Sequence, residues 1–499
     1  MKTHYILAID QGTSSTKSVI FDGKGKIISK AVSPLHSYYP EVGFVEQKPL
    51  EIMESVLDSV KKCIKGFREL PGEIEACGIS NQRETFLLWD KNGDPLYNAV
   101  IWQCKRSVSI CSRLKKENNL EEIINKKTGL IIDPYFSGTK LLWLYEKNES
   151  IKKAILNGKA YFGTVDTWLL YKLTGKHKTD YTNASRTLLF NIDSLNWDSE
   201  LLEYFSFKNL ILPEVHESAY NFGTTNFNGT LPYDIPITAM IGDSHAASFG
   251  EGCFYPGTAK ATMGTGSSVL MNIGKKRIAS KKGMITTINW SIPGRVDYAL
   301  EGIIVTAGAA LKWLKEQLGL FTSTAELEKI ANNAGSSNNG VCFIPAFSGM
   351  GAPFWNMDAK AAITNLTFRC DKNHIIRAAL ESIPYQLKAV IDSMEKDSGV
   401  IIKELKADGG VSANSFLMQF LSNVLNTKVV NPGIEEVSAL GAAYLAGLQF
   451  GIFKDIDELE AINRNSKQRI FSPDNNREKV LKGYRQWIKC IEKVLQFTQ

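Results

Sequence analysis

Across its 499 residues the chain has no window of about 18 apolar residues, so no membrane-spanning helix is expected. The apolar run after the N-terminus stops at Asp10, too short for a secretory leader, and none is expected. Histidine is scarce, at six, and the eight cysteines form no Cys-x-x-Cys pair and no zinc spacing with histidine. That pattern excludes a structural zinc module and fits reduced thiols in a cytoplasmic protein. Two common nucleotide fingerprints, Gly-x-x-x-x-Gly-Lys-Ser/Thr and Gly-x-Gly-x-x-Gly, are missing as well. Charge is not one-sided: 58 basic and 52 acidic residues leave +6, scattered rather than striped, which excludes a nucleic-acid partner.

What remains is an ordinary globular composition, 44% hydrophobic and 22% charged, in a chain too long for one core. Two domains are expected. In the first half, Tyr5 to Ile9 is a strand ending at Asp10, followed by Gln11-Gly12-Thr13-Ser14-Ser15-Thr16-Lys17 and a second strand from Ser18 to Phe21. Asp22-Gly23 turns the chain into a third strand. Gly12, with its row of hydroxyls and Lys17, has the parts needed to hold a polyphosphate, and Asp10 beside it offers an oxygen ligand to Mg²⁺. A Ser/Thr-rich hairpin turn is the plainer alternative. Pro49 to Phe67 reads as a helix, and Ile74 to Ile79 as a strand delivering Arg83 and Glu84. Those two could clamp hydroxyls, or form a surface ion pair with one another. Ala99 to Gln103 reads as a strand that brings Trp102 near them. Thr164 or Asp166 is expected to cap the next helix.

Midway along the chain the apolar run Ile235 to Ile241 reaches Gly242 and presents Asp243. A strand-end Asp commonly caps a helix, but it also stands where an alcohol could lose a proton. The second half then repeats the first: the strand Thr258 to Met263, the small hydroxylated loop Gly264 to Ser268, and a returning strand from Val269. A strand reaching Gly409-Gly410 precedes Asn414 and a helix, an arrangement that lets a flat ring or a phosphate approach the backbone. The small-residue helix from Glu436 to Leu448 reads as structural.

Several strings resemble the FGGY carbohydrate kinases, with the glycerol kinase branch the nearest pattern. They are "IDQGTSSTK" from Ile9, "SNQRETF" from Ser80, "IWQCKR" from Ile101, "GLIIDPYFSGTKLLWL" from Gly129 and "FGTVDTWLLYKLTG" from Phe162. "DYTNASRTLLFNI" from Asp180, "MGTGSSVLMN" from Met263, "PAFSGMGAPFW" from Pro345 and "DGGVSANSFLMQF" from Asp408 continue the match. The resemblance implies an α/β fold of two actin-like, ribonuclease-H-like ATPase domains around a central cleft. Residues 1–251 would hold the polyol site and first phosphate loop, and 252–499 the ATP site. It implies ATP and Mg²⁺, a polyol substrate and a homodimer or homotetramer. Asp243 would be the general base and Asp10 the metal residue. Thr13, Ser14, Ser15, Lys17, Thr265, Gly308, Lys312, Gly410 and Asn414 would serve the nucleotide. Arg83, Glu84, Trp102, Tyr135, Asp243, Ser244 and Ser268 would line the polyol pocket.

The implied reaction phosphorylates a terminal hydroxyl of a small polyol, glycerol first. Ser244-His245 stand where glycerol kinases usually carry two glutamines, and Ser268 where they carry Phe. Lys17 replaces an Arg, keeping charge but losing the bidentate fork, and Lys312 replaces a common Gln. A wider, more polar pocket would suit a longer polyol or a ketose. From another class, an actin- or chaperone-like ATP-driven binding protein shares the same core, but it needs no polyol pocket.

Overall fold

The three apolar runs at the N-terminus pair antiparallel, as the Asp22 turn predicts, in strands Tyr5–Gln11, Ser15–Asp22 and Ile27–Pro34. The computed structural model describes residues 4–68, 74–335 and 337–496. Strands Ile74–Asn81 and Ile235–Gly242 add parallel to Tyr5–Gln11, and Ala219–Thr225 closes one edge antiparallel, giving six strands. Parallel strands inside a sheet are buried on both faces, which is why Ile74–Asn81 and Ile235–Gly242 read as continuous apolar runs. Helix Pro49–Gly66 starts on its proline and buries Ile52, Val56, Val60 and Cys63 on one side of this sheet.

The second sheet repeats the pattern. Strands Thr258–Met263, Ser267–Gly274 and Arg295–Ile304 form the antiparallel meander, and Glu404–Asp408 and Lys428–Asn431 follow in parallel. Ile285–Ile292 and Arg469–Phe471 extend the two edges to seven strands. Both sheets set an antiparallel hairpin beside two parallel strands, but the second departs from the first: Ile285–Ile292, which lies in sequence between Ser267–Gly274 and Arg295–Ile304, forms an additional outer strand.

Sequence periodicity misplaces two details. Only Ala99 and Val100 are strand, so Trp102 sits on the turn that follows rather than on a strand. Thr164 occupies the cap position of helix Val165–Thr174 without capping it; its hydroxyl donates instead to Asp166 Oδ1 at 2.5 Å. The Val437–Phe450 helix comes late in the chain yet packs on the first sheet: a Cβ at Gly78 would meet Ala442 O at 2.3 Å. The same helix crosses Asp243–Gly250 so closely that a Cβ at Gly441 would lie 1.8 Å from Ala246 O. Only glycine permits that approach.

Candidate active site

The Ile235–Gly242 strand ends where the chain must turn into the Asp243–Gly250 helix. Gly242 takes the cap position, and Asp243 is the first helical residue rather than the cap. Its Oδ1 accepts from the Ser244 N–H at 2.6 Å, and the Asp243 side chain is 39% exposed. The alternative reading of Asp243 as a helix cap is thus set aside. Arg83 Nε lies 3.2 Å from Asp243 Oδ1 and aims the carboxylate.

Arg83 and Glu84 do not form a surface pair with one another. Both are buried, and Glu84 holds a left-handed backbone (φ 61°). Arg83 Nη2 donates to Glu301 Oε1 at 3.0 Å, Arg186 Nε to Glu84 Oε1 at 2.5 Å, and Arg186 Nη1 lies 2.7 Å from Glu301 Oε2. Two cations and two carboxylates therefore neutralise one another away from water. That arrangement is tolerable only when each charge keeps its partner. Burial works to raise the Glu301 carboxyl, yet Arg186 and Arg83 outweigh it and hold that carboxyl well below the usual range. For Glu84 burial prevails over the same two arginines, and its carboxyl is pushed up. Arg83 Nη1 and Arg186 Nη2 are buried without a hydrogen-bond partner among the described residues. Orphan donors beside a half-open carboxylate suit a ligand with hydroxyls.

The Gly12 hairpin joins this cluster. Asp10 Oδ1 accepts from Ser80 Oγ at 2.9 Å, and Trp102 Nε1 donates to Thr13 Oγ1 at 2.9 Å. Trp102 meets Tyr135 edge to face, with ring centroids 5.7 Å apart. Lys140, fully buried, donates to Pro134 O at 3.0 Å and Tyr135 O at 2.6 Å, and so fixes the turn that presents Tyr135. Burial pushes the Asp10 carboxyl up to about 6, and the Asp243 charge adds to the rise; Ser80 and Lys17 oppose it. A buried carboxylate beside a second negative charge is a place where a divalent cation would be neutralising, so the donor set fits Mg²⁺. Ser14 is exposed, Thr13 and Ser15 are half-buried, and Lys17 pairs with Glu436 at 2.6 Å.

Ser268 and Ser244 are half-buried, and Ser268 Oγ points to Glu301 Oε1 at 3.4 Å. In the second hairpin, Gly308 N–H donates to Gly264 O at 2.9 Å and Ala309 N–H to Thr265 O at 3.0 Å. A Cβ at Gly308 would meet Gly264 O at 2.6 Å and Val411 Cγ2 at 3.0 Å, so Thr265, Gly308 and the Gly410 turn gather in one place. A Cβ at Gly410 would meet nothing within 4 Å, which leaves its backbone open to a ligand. Asn414 commits its Oδ1 to capping helix Ser415–Leu425, accepting from Leu417 N–H at 2.9 Å. Lys312 is exposed on helix Gly308–Glu316, 3.9 Å from Glu316.

Sequence reasoning missed Arg186, Glu301, Lys140 and Glu436 as site residues. Arg186 lay inside a quoted string without being singled out; Glu301 and Glu436 carry no local signal. His245 departs from the family pattern, and it is buried, with Nε2 3.3 Å from Thr287 Oγ1. Burial, with Arg83 and Arg186 adding to it, holds its imidazole well below the ordinary range and hence neutral. It is wholly buried, whereas the neighbouring Asp243 side chain is partly exposed.

Residues 5–250 match the N-terminal domain of the FGGY family of carbohydrate kinases, and residues 259–450 its C-terminal domain. The chain is 45% identical to glycerol kinase 2 of Thermotoga maritima over 494 residues, covering 98% of this chain and 99% of that one. It is also 45% identical to a glycerol kinase of Caldanaerobacter subterraneus subsp. tengcongensis over 498 residues, 99% of each. Among solved structures, Plasmodium falciparum glycerol kinase with ADP superposes with a TM-score of 0.93 at 38% identity, over 99% of this chain and 98% of that one. A gluconate kinase from Lactobacillus acidophilus, 21% identical, shares the fold with a TM-score of 0.89 over 99% and 98% of the two chains.

Proposed function

The chain belongs to the FGGY family of carbohydrate kinases, and from that premise we propose that it transfers the γ-phosphoryl group of ATP to a terminal hydroxyl of glycerol. The observation that carries the reading is Asp243, partly exposed and aimed by Arg83, beside buried guanidinium donors without partners among the described residues. The polyol hydroxyl gives its proton to the Asp243 carboxylate, its oxygen bonds to the γ-phosphorus, and the bond from that phosphorus to the β-bridging oxygen breaks to release ADP. Such transfers rest on positioning and charge stabilisation more than on covalent chemistry. Asp10 would hold Mg²⁺, which when bound screens the phosphate charge. Thr13, Ser14, Ser15 and Lys17 would face the phosphates from one hairpin and Thr265 from the other. Gly308, Gly410 and Asn414 would border the nucleotide, with Lys312 at its rim. Arg83, Glu84, Trp102, Tyr135, Ser244 and Ser268 would surround the polyol. In this reading residues 1–251 and 252–499 are the two catalytic lobes of a cytoplasmic homodimer or homotetramer.

A second reading, a longer polyol, is favoured by one observation: the half-buried Ser268 hydroxyl turned toward Glu301. A small polar side chain there leaves room for a further hydroxyl. ADP release measured with glycerol, erythritol, threitol and pentitols decides between them. Glycerol is expected to give the highest kcat/KM, and no turnover at millimolar glycerol with turnover of a tetritol would reverse the order. On the preferred polyol, Asp243→Asn should lower kcat by ~10²–10⁴-fold with nucleotide affinity retained. Wild-type turnover in that variant would remove Asp243 from the reaction.

A further inference from the structure

The chain leaves the Lys428–Asn431 strand of the second sheet and reaches Glu436, which takes the cap position of the Val437–Phe450 helix in a left-handed conformation (φ 53°, ψ 47°). A residue other than glycine is held in that region only by its surroundings, and such strained positions cluster at working sites. The Glu436 side chain reaches across to the first sheet. Its Oε2 accepts from Lys17 Nζ at 2.6 Å, and its Oε1 lies 3.7 Å from Lys30 Nζ.

Lys17 stands directly opposite Asp10 in the hairpin register, so the two side chains share one face of the sheet. The Glu436 side chain is 14% exposed and that of Lys17 is 36% exposed, so the ammonium keeps an open side. An ammonium has three N–H donors on a flexible four-carbon stem, and a single acceptor is enough to orient it. The same helix tip also touches the Asp243 backbone, where Ser438 Oγ donates to Asp243 O at 3.1 Å.

We propose that Glu436 is a positioning residue for phosphoryl transfer, fixing the Lys17 ammonium so that its remaining donors face the phosphate chain of the nucleotide. This rests on the reading of the Gly12 hairpin as a phosphate site. Lys here stands in for the planar fork of an arginine, and a carboxylate behind it supplies the orientation that a lone ammonium lacks. Glu435 makes a superficially similar pair with Lys30 at 3.0 Å, but both side chains are exposed and neither meets the hairpin loop.

The test is steady-state kinetics of the full-length enzyme against ATP at saturating polyol. Glu436→Gln should lower kcat/KM for ATP about tenfold with KM for the polyol unchanged, because the lost interaction acts on the phosphates. Lys17→Met should lower it further. The double variant should be no worse than Lys17→Met alone, since Glu436 acts only through Lys17. Glu436→Asp should retain part of the lost activity, and Glu435→Gln should match the wild type. Should Glu436→Gln fail to fold, Glu436→Asp carries the same comparison. Wild-type ATP kinetics in Glu436→Gln, tighter ATP binding, or losses that multiply in the double variant would each overturn the proposal. Harmless Lys17→Met would instead sink the phosphate reading of the hairpin, and the positioning role with it.

Discussion

Asp10 carries a carboxyl that burial, and after it the Asp243 charge, push up to about 6. Its ionised form prevails above that pH and its protonated form below, and only the ionised form binds a cation well. The apparent KM for Mg²⁺ should therefore be flat above about pH 6 and rise about tenfold for each unit below it. Initial rates over a magnesium series at pH 5, 6 and 7 measure this, and a flat profile would remove Asp10 as the metal residue. At the same scale, Arg83 and Glu84 were legible because they follow a strand that had to be buried. Their partners were not: Arg186 is 102 residues from Glu84, and Glu301 is 218 from Arg83. No local pattern reports a bond closed over such distances.

Among the elements, the helices Asp243–Gly250 and Val437–Phe450 approach too closely at Gly441 to admit a side chain there. Gly441→Ala would drive a methyl group into the Ala246 carbonyl, at 1.8 Å in the unrelaxed geometry. Overpacking of a rigid crossing costs about 1–3 kcal/mol, and backbone atoms yield less readily than side chains, so the upper end is expected. Urea denaturation should show the loss; a neutral Gly441→Ala would mean the helices can separate freely. Element types were largely readable in advance, because apolar periodicity and turn residues agree with burial along both meanders. The strand assigned to Ala99–Gln103 failed where periodicity gave out: Trp102 is apolar in type, but it is held by a hydrogen bond to Thr13 rather than by sheet pairing. The Glu436–Leu448 segment was read as a structural helix, and its spacing could not show that its first turn reaches another sheet.

Over the whole molecule, the two sheets meet through the buried quartet, with Arg83 and Glu84 just after strand Ile74–Asn81, Arg186 from the segment between that strand and Ala219–Thr225, and Glu301 from the second sheet. Removing one member leaves carboxylates buried without compensation, a change that typically costs about 3–5 kcal/mol. Arg186→Met should accordingly lower unfolding stability by that amount and raise KM for the polyol; unchanged stability would mean that water enters the cluster. The recurrence of a hairpin beside parallel strands was foreseeable from two hydroxyl-rich hairpins half a chain apart, whereas the extra strand of the second sheet and the way the halves interlock were not. The Val437–Phe450 helix fills the face of the first sheet around Gly78, although more than 350 residues of chain separate the two. During synthesis the first lobe emerges from the ribosome with that apolar face bare, and it stays so until the last tenth or so of the message has been read. A nascent chain stalled before residue 437 should thus be a client for holding chaperones even though every strand of its first sheet has already been made.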